Sequence, residues 1–322
     1  EAFKSKKQVV TSNIELVATY GAQLIRTARE NDVAYLFEAS VGGGIPIIRP
    51  LNNCLVANEI HEIMGILNGT TNYILTQMIQ TGQSFERALS DAQQKGYAER
   101  DPMADIEGID TCRKIAILSA LCYGRQIDSD TIPTQGISNI DLQDVFYSEK
   151  NGYTIKLIGR SKKVDGNVYV KVSPLLLPKK HPLAGVEDVF NAILVRASAT
   201  GDLMFYGKGA GKMPTASAVV ADCINIIKYG NLGMPVWENG GVVSRCNCDN
   251  IKYYIRVKSE DKADTKEQIN SLFAKAVWLD TQENDVAFIT DKDDENNILD
   301  NIQKLRSLIG NDNVKATYQV ED

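Results

Sequence analysis

Gly96-Tyr97-Ala98-Glu99-Arg100-Asp101-Pro102-Met103-Ala104-Asp105-Ile106-Glu107-Gly108-Ile109-Asp110-Thr111-Cys112-Arg113-Lys114-Ile115-Ala116-Ile117-Leu118 is the stretch around which the chain is organised. Its first half is rich in carboxylates and is broken by Pro102 and Gly108, which predicts a loop. Its second half predicts a helix. Asp110 falls in the first turn, where an anion meets free backbone N–H groups and the positive end of the dipole, and Ile117 and Leu118 supply an apolar side. Asp110 and Lys114 are four apart and share a helix face. That spacing suits an ordinary surface ion pair worth ~0.3–0.5 kcal/mol. It equally suits a site where carboxylates hold an ammonium group while Lys114 gives a proton to a substrate oxygen. Glu99, Asp101, Asp105 and Glu107 would attract a cationic substrate and keep Lys114 protonated, as a general acid requires.

Composition narrows the classes. The 322 residues allow a large core and two or more domains, and 43% hydrophobic with 24% charged residues is ordinary for a soluble globular protein. With 35 basic against 41 acidic residues, the formal charge is −6, so no nucleic-acid partner is expected. No run of 18 apolar residues and no signal-peptide pattern is present, so no membrane partner is expected. The six cysteines at 54, 112, 122, 223, 246 and 248 are scattered. They read as free thiols in a reducing, cytoplasmic setting, and the Cys246-Asn247-Cys248 spacing is too tight for a zinc knuckle.

Outward from the central stretch, the predicted class is α/β. Val9-Val10 and 33–41 read as strands around a helix over 14–30 capped by Asn13, a parallel βαβ unit. One such unit cannot close a core, so the chain is expected to open part-way through a domain. Glu38 leads into Gly42-Gly43-Gly44, a turn that suits a phosphate, a cation held by carbonyls, or neither. A strand over 60–67 runs into Asn68-Gly69-Thr70-Thr71-Asn72, polar groups that can cap a helix or cradle a ligand. Helices over 71–81 and 84–95 follow. Strands are expected at 153–159, 168–177 and 190–199 within a region of strands and turns over 133–200, with Asp165-Gly166-Asn167 as a hairpin signal. After a further strand at 203–206, Gly207-Lys208-Gly209-Ala210-Gly211 precedes a helix over 215–228, whose start can meet a phosphate; the order is not that of a Walker motif. Residues 236–250 read as linker. Residues 251–322 read as β-α-β-β-α-β, a ferredoxin-like order.

These motifs together go beyond general pattern. The runs Phe37–Pro46, Gly65–Ile74, Gly96–Pro102, Gly108–Lys114, and Gly207–Gly211 with Pro214-Thr215-Ala216, resemble homoserine dehydrogenase over about residues 8–228. The resemblance implies an oxidoreductase that interconverts L-homoserine and L-aspartate 4-semialdehyde with NAD or NADP, in threonine and methionine biosynthesis. It implies that Glu99 and Asp110 orient the substrate amino group with support from Asp105, that Thr70 and Tyr97 frame the substrate, and that Lys114 is the proton donor. It further implies cofactor contacts from Asn13, Gly207, Gly209 and Gly211. A monovalent cation, sodium or potassium, would sit on Glu38 and the carbonyls of Val41, Gly43 and Ile45. By the same resemblance, residues 1–37 and 212–235 are the remainder of a Rossmann-like nucleotide-binding domain whose G-x-G-x-x-G portion lies earlier in the family. Residues 38–211 are an α+β catalytic and dimerisation domain with a mixed or antiparallel sheet, and 251–322 are an ACT-like domain. A homodimer or higher homo-oligomer is implied. Two departures stand out. The family usually has a lysine directly after Thr-x-Asn, where this chain has Ile14; losing that donor could cost several kcal/mol in the transition state. The ACT-like part has Asp261-Lys262-Ala263-Asp264 in place of the usual Pro-Gly. The alternative reading is an inactive amino-acid-binding or regulatory form of the enzyme.

Overall fold

The computed structural model describes every residue except 232, 233, 236, 238–247, 249 and 283. In chain order, strand β1 (Val9–Val10), helix α1 (Ile14–Glu30) and strand β2 (Tyr35–Leu36) come first. They are followed by β3 (Ile60–Ile66), α2 (Gly69–Thr81), α3 (Phe85–Gln94), the short α4 (Met103–Ile106), α5 (Ile109–Tyr123) and α6 (Leu142–Lys150). Next come β4 (Tyr153–Val164), β5 (Asn167–Pro178), β6 (Phe190–Ala197), β7 (Gly201–Lys208) and α7 (Lys212–Tyr229). The last elements are β8 (Lys252–Lys258), α8 (Lys262–Leu272), β9 (Val277–Trp278), β10 (Asp285–Ile289), α9 (Glu295–Ile309) and β11 (Val314–Val320).

β1 and β2 pair in parallel, Val9 opposite Tyr35, across α1. This is the expected βαβ unit. Asn13 caps α1 by accepting from Leu16 N at 2.8 Å. The buried face of α1 is Val17, Ala18, Gly21, Ala22, Ile25 and Ala28. Leu16 stays exposed, while Gly21 faces the side chain of Trp237. The strand expected over 33–41 is only Tyr35–Leu36. Beyond Phe37 the backbone turns into a 3-10 segment (Glu38–Ser40), so that the Glu38 carboxylate can reach the N–H groups of Ile47, Ile48 and Arg49.

The main sheet runs β7-β6-β3-β4-β5-β11-β8-β10-β9. All its pairs are antiparallel except β5–β11. Alternation along the strands sorts side chains to two faces. Ile63, Ile155, Leu157, Ile193 and Val195 enter the large core shared with α2 and α5. Met64, Ile66, Ile158, Leu175, Leu177 and Leu194 pack instead against Leu183 and Val186 of the β5–β6 connection. The β4–β5 hairpin turns on Asp165 and Gly166, at φ 47° and 80°. Positive φ at both centres of a two-residue loop is the combination that matches the strand twist.

Two helices lie where none was expected. α4 sits inside the acidic loop. α6 interrupts the region read as strands and turns; Asp141 caps it by accepting from Gln143 N at 2.9 Å, and it buries Val145 and Tyr147. In the C-terminal part, the order β11-β8-β10-β9 is the ferredoxin-like arrangement 4-1-3-2. β11 also pairs in parallel with β5 through Gln319–Leu175 and Val320–Leu176, which makes the sheet continuous. Of the stretch read as linker, only 237, 248 and 250 lie within the described residues, so Cys246 and Asn247 of the Cys246-Asn247-Cys248 motif fall outside them. Among the described residues, no helix is long and apolar enough to cross a membrane.

Candidate active site

Asn68 ends the turn after β3 and organises the acidic site. Its Oδ1 accepts from Thr71 N at 2.9 Å and so caps α2. Its Nδ2 donates to Asp105 Oδ1 at 2.7 Å and to Asp110 Oδ2 at 2.9 Å. Two carboxylates that are distant from β3 in sequence are thereby drawn to one amide. Gly108, at φ 79°, turns the chain between α4 and α5, which brings Asp105 alongside Asp110. Lys114 is one turn further along α5. Its Nζ donates to Asp110 Oδ2 at 2.6 Å and to Leu67 O at 2.9 Å. The residue is 7% exposed, so the pair is no solvated surface bridge. An ammonium carries three donors; these two bonds leave a third N–H for a ligand oxygen.

Burial, and then the negative charge of Asp110, push the Asp105 carboxyl above the usual range, while the Asn68 amide works the other way. Thr70 Oγ1 donates to Tyr97 O at 2.7 Å. The Tyr97 ring stands edge-on to Tyr73 with centroids 5.0 Å apart, and Tyr73 is in turn fixed by Asp91 and Lys95. Asp105, Asp110, Lys114, Thr70 and Tyr97 are therefore gathered at one place. Glu99 is exposed, and among the described residues its carboxylate has no side-chain partner; only its main-chain oxygen is engaged, by Gln93. Asn68, the centre of the network, belonged to a polar run that the sequence marked as a ligand cradle or a cap; in the structure it caps α2 and holds Asp105 and Asp110.

A second group lies at the glycine turns. Gly44 N donates to Lys208 O at 3.1 Å, so the Gly42–Gly44 and Gly207–Gly211 turns touch. Gly43 has φ +53°, and a Cβ there would stand 2.4 Å from Gly209 O. A Cβ on Gly209 would stand 2.0 Å from Asn191 Nδ2, and one on Gly69 3.5 Å from Asn191 Oδ1. Asn191 is buried, and its Oδ1 has no hydrogen-bond partner among the described residues. The second turn and the start of α2 thus flank one amide with a free acceptor, and the first turn packs on Gly209. Gly209→Ala is expected to cost about 1–3 kcal/mol by forcing Asn191 aside; an unchanged urea midpoint would contradict this contact.

Glu38 and Asp222 flank the first glycine turn. Glu38 accepts backbone N–H from Ile47, Ile48 and Arg49 at 2.7–2.9 Å. Asp222 Oδ2 accepts Glu38 N at 2.9 Å, and its Oδ1 meets Arg49 Nη2 at 3.2 Å. Burial lifts Asp222 to about 6 despite those bonds. Its folded value lies above its unfolded one, so between about pH 4 and 6 the folded state holds a proton that the unfolded state releases, and this group's contribution to stability grows as pH falls through that window. The unfolding free energy of the wild type relative to Asp222→Asn should therefore rise from about pH 7 to about pH 4; a difference independent of pH would refute the assignment. Asn13 caps α1, and Ile14 begins that helix with its side chain packed on the core. Among the described residues no group of three or more His, Cys, Asp or Glu is placed to hold a metal ion.

A family model for homoserine dehydrogenase matches residues 46–224. That range contains the Asn68–Asp105–Asp110–Lys114 network and the second glycine turn.

The chain belongs to the homoserine dehydrogenase family.

Its similarity to the homoserine dehydrogenase of Bacillus subtilis is 39% identity over 337 aligned residues, covering all of this chain and 78% of that protein. To the Lactococcus lactis homoserine dehydrogenase it is 39% identical over 85% of this chain, and it spans 65% of that relative's length. The crystal structure of a homoserine dehydrogenase from Thiobacillus denitrificans superposes with a TM-score of 0.87 at 34% identity, covering 99% of this chain and 78% of that one. A hyperthermophilic archaeal homoserine dehydrogenase solved in complex with NADPH superposes with a TM-score of 0.62 at 33% identity, covering 72% of this chain and 67% of that one. Homoserine dehydrogenases are oxidoreductases, and the mixed α/β fold with its large, mostly antiparallel sheet is theirs.

Proposed function

We propose that this homoserine dehydrogenase family member interconverts L-homoserine and L-aspartate 4-semialdehyde with NAD or NADP, in the route to threonine and methionine. The observation that carries the reading is the enclosed pair of Lys114 Nζ and Asp110 Oδ2 at 2.6 Å, with Asn68 bonded to Asp110 and Asp105. Asp105 and Asp110 give the substrate ammonium a negative wall, and Glu99 closes its exposed side. Thr70 and Tyr97 bound the chamber. Lys114 directs its free N–H at the aldehyde oxygen and hands over a proton as the oxygen gains charge; in the reverse direction it takes the proton from the hydroxyl. Asp110 aims Lys114.

Bound nicotinamide supplies the hydride, a chemistry that belongs to the cofactor. Asn13, Gly207, Gly209 and Gly211 are the residues proposed to hold it. The second turn is braced by Asn191, whose side chain fills the space beside Gly209. The proposed sodium or potassium site uses the carbonyls of Val41, Gly43 and Ile45 with Glu38. The Glu38 carboxylate is already engaged by three N–H groups, so its part in such a site falls to the main chain.

We also propose the partition into 1–37 with 212–235, 38–211, linker 236–250 and an ACT-like 251–322. The proposed setting is cytoplasmic, and the proposed homodimer or higher homo-oligomer is supported by edge strand β7, which leaves Met204 and Tyr206 exposed. The second reading, an amino-acid-binding form without redox activity, is favoured by Ile14 alone, which packs as a core residue and offers no donor. The deciding experiment incubates the protein with L-homoserine and NADP+ or NAD+ and follows reduced nicotinamide by fluorescence. Turnover that saturates in homoserine supports the dehydrogenase. Saturable homoserine binding with no reduced nicotinamide would replace it with the second reading.

A further inference from the structure

A cavity of about 250 Å³ lies between α2, α6, the start of β4 and the β5–β6 connection, away from the acidic site. Lys156 of β4 lines it and is 2% exposed. Its Nζ donates to Val186 O at 2.6 Å and to Asn72 Oδ1 at 3.1 Å. Both acceptors are neutral. Among the described residues no carboxylate forms an ion pair with Lys156, although a buried ammonium is normally paired. Two of its three donors are used.

The other charged groups at the cavity come from α6, the residue after β5 and the β5–β6 connection, while α2 offers Thr76, Ile79 and Gln80. Glu149 ends α6 and pairs with Lys179, just after β5, at 2.9 Å. Glu187, in the β5–β6 connection, is exposed at the rim, and its carboxylate has no hydrogen-bond or ion-pair partner among the described residues. Two lysines and two glutamates balance. A plain anion would upset that balance, whereas a ligand bearing both signs keeps it. Ile79 and Ala184 add apolar wall, enough for a short aliphatic side chain.

We propose that this cavity is a binding site for a small α-amino acid, its carboxylate on Lys156 and its ammonium on Glu187. The inference does not depend on the redox reading of the acidic site. At the first turn of α8 in the C-terminal module, Asp261 itself accepts the N–H groups of Ala263 and Asp264. Burial lowers Lys156 to about 8, with Glu187 and Glu149 opposing, so the ammonium that would receive the carboxylate is lost in mild alkali.

The test is calorimetric titration of the whole protein with L-alanine, with propionate as the ligand lacking an ammonium. Saturable binding with Kd at or below about 1 mM is expected. Affinity should fall from about pH 7 to about pH 9 as Lys156 deprotonates. Glu187→Gln, an exposed change that leaves packing alone, should weaken alanine about tenfold and leave propionate unchanged, which corresponds to one ion-pair contact of about 1.4 kcal/mol. Lys156→Met should abolish binding, and Asp110→Asn should preserve it, which separates this cavity from the acidic site. The proposal is overturned if alanine gives no saturation by about 10 mM. It is equally overturned if propionate binds as tightly as alanine, if Glu187→Gln changes nothing, or if Asp110→Asn removes the binding.

Discussion

Lys114→Ala is expected to lower kcat by about 10²–10⁴ while the protein stays folded. The reason is geometric. Lys114 Nζ is held by Asp110 and Leu67 O with one donor unspent, in a site that is nearly closed to water. No other ammonium reaches this network among the described residues: Lys95 is committed to Tyr73 and Asp91. Removing Lys114 leaves Asp110 still bonded to Asn68, so the local fold keeps a partner for its carboxylate. KM for homoserine should move less than kcat, because the ammonium of the substrate is read by carboxylates and not by Lys114. Asp110→Asn should act on both, since Asp110 both aims Lys114 and faces the substrate. Steady-state kinetics with a thermal melt of each variant decide the matter. A Lys114→Ala variant with kcat within about threefold of wild type would remove Lys114 as proton donor.

The parts that were legible in the sequence share a local cause. α1 and α9 carry capping side chains, Asn13 and Asp294, that accept from Leu16 N and Asn296 N, and α1 runs over the expected 14–30. The Asp165-Gly166 turn needs only φ preferences of its own two residues. The Asp110–Lys114 pair is an i, i+4 relation on one helix and could be read as such. What stayed hidden depends on register between distant segments. Asn68 joins Asp105 and Asp110 only because Gly108 folds α4 back beside α5. α6 has modest apolar content, and its burial comes from packing beside β4. The strand expected over 33–41 loses its second half to the long reach of Glu38 toward 47–49. The junction of β11 with β5 has no local signature, because a parallel pairing about 145 residues apart is decided by tertiary packing.

That junction underlies the largest expected effect on stability. Glu62→Ala should destabilise the protein by about 3–5 kcal/mol. Glu62, on β3, is 3% exposed and faces two guanidiniums: Oε1 meets Arg160 Nε at 2.5 Å and Oε2 meets Arg196 Nη1 at 2.6 Å. Glu321, just past β11, closes the cluster at 2.9 Å from Arg160 and 3.4 Å from Arg196. Three neighbouring strands and the end of the C-terminal module therefore meet in one largely buried group of two cations and two anions. Among the described residues, truncating Glu62 leaves two cations on Glu321, with Arg196 otherwise reaching only the exposed Asp202 at 3.6 Å. The cost arises from the unpaired charge and exceeds the net worth of the pair, so replacing all four members, Glu62, Arg160, Arg196 and Glu321, by Met or Leu should recover much of the loss. Burial alone would raise the Glu62 carboxyl, but Arg160 and Arg196 outweigh it and hold it below its ordinary 4.5. Its folded value is the lower one, so the stabilisation is complete above about pH 4.5 and is lost as pH falls through the folded value. Urea denaturation at neutral pH and near pH 3 measures both claims. A Glu62→Ala loss under about 1 kcal/mol at neutral pH would mean that this cluster does not hold the C-terminal strand to the sheet, and a loss that fails to shrink in acid would contradict the direction assigned to Glu62.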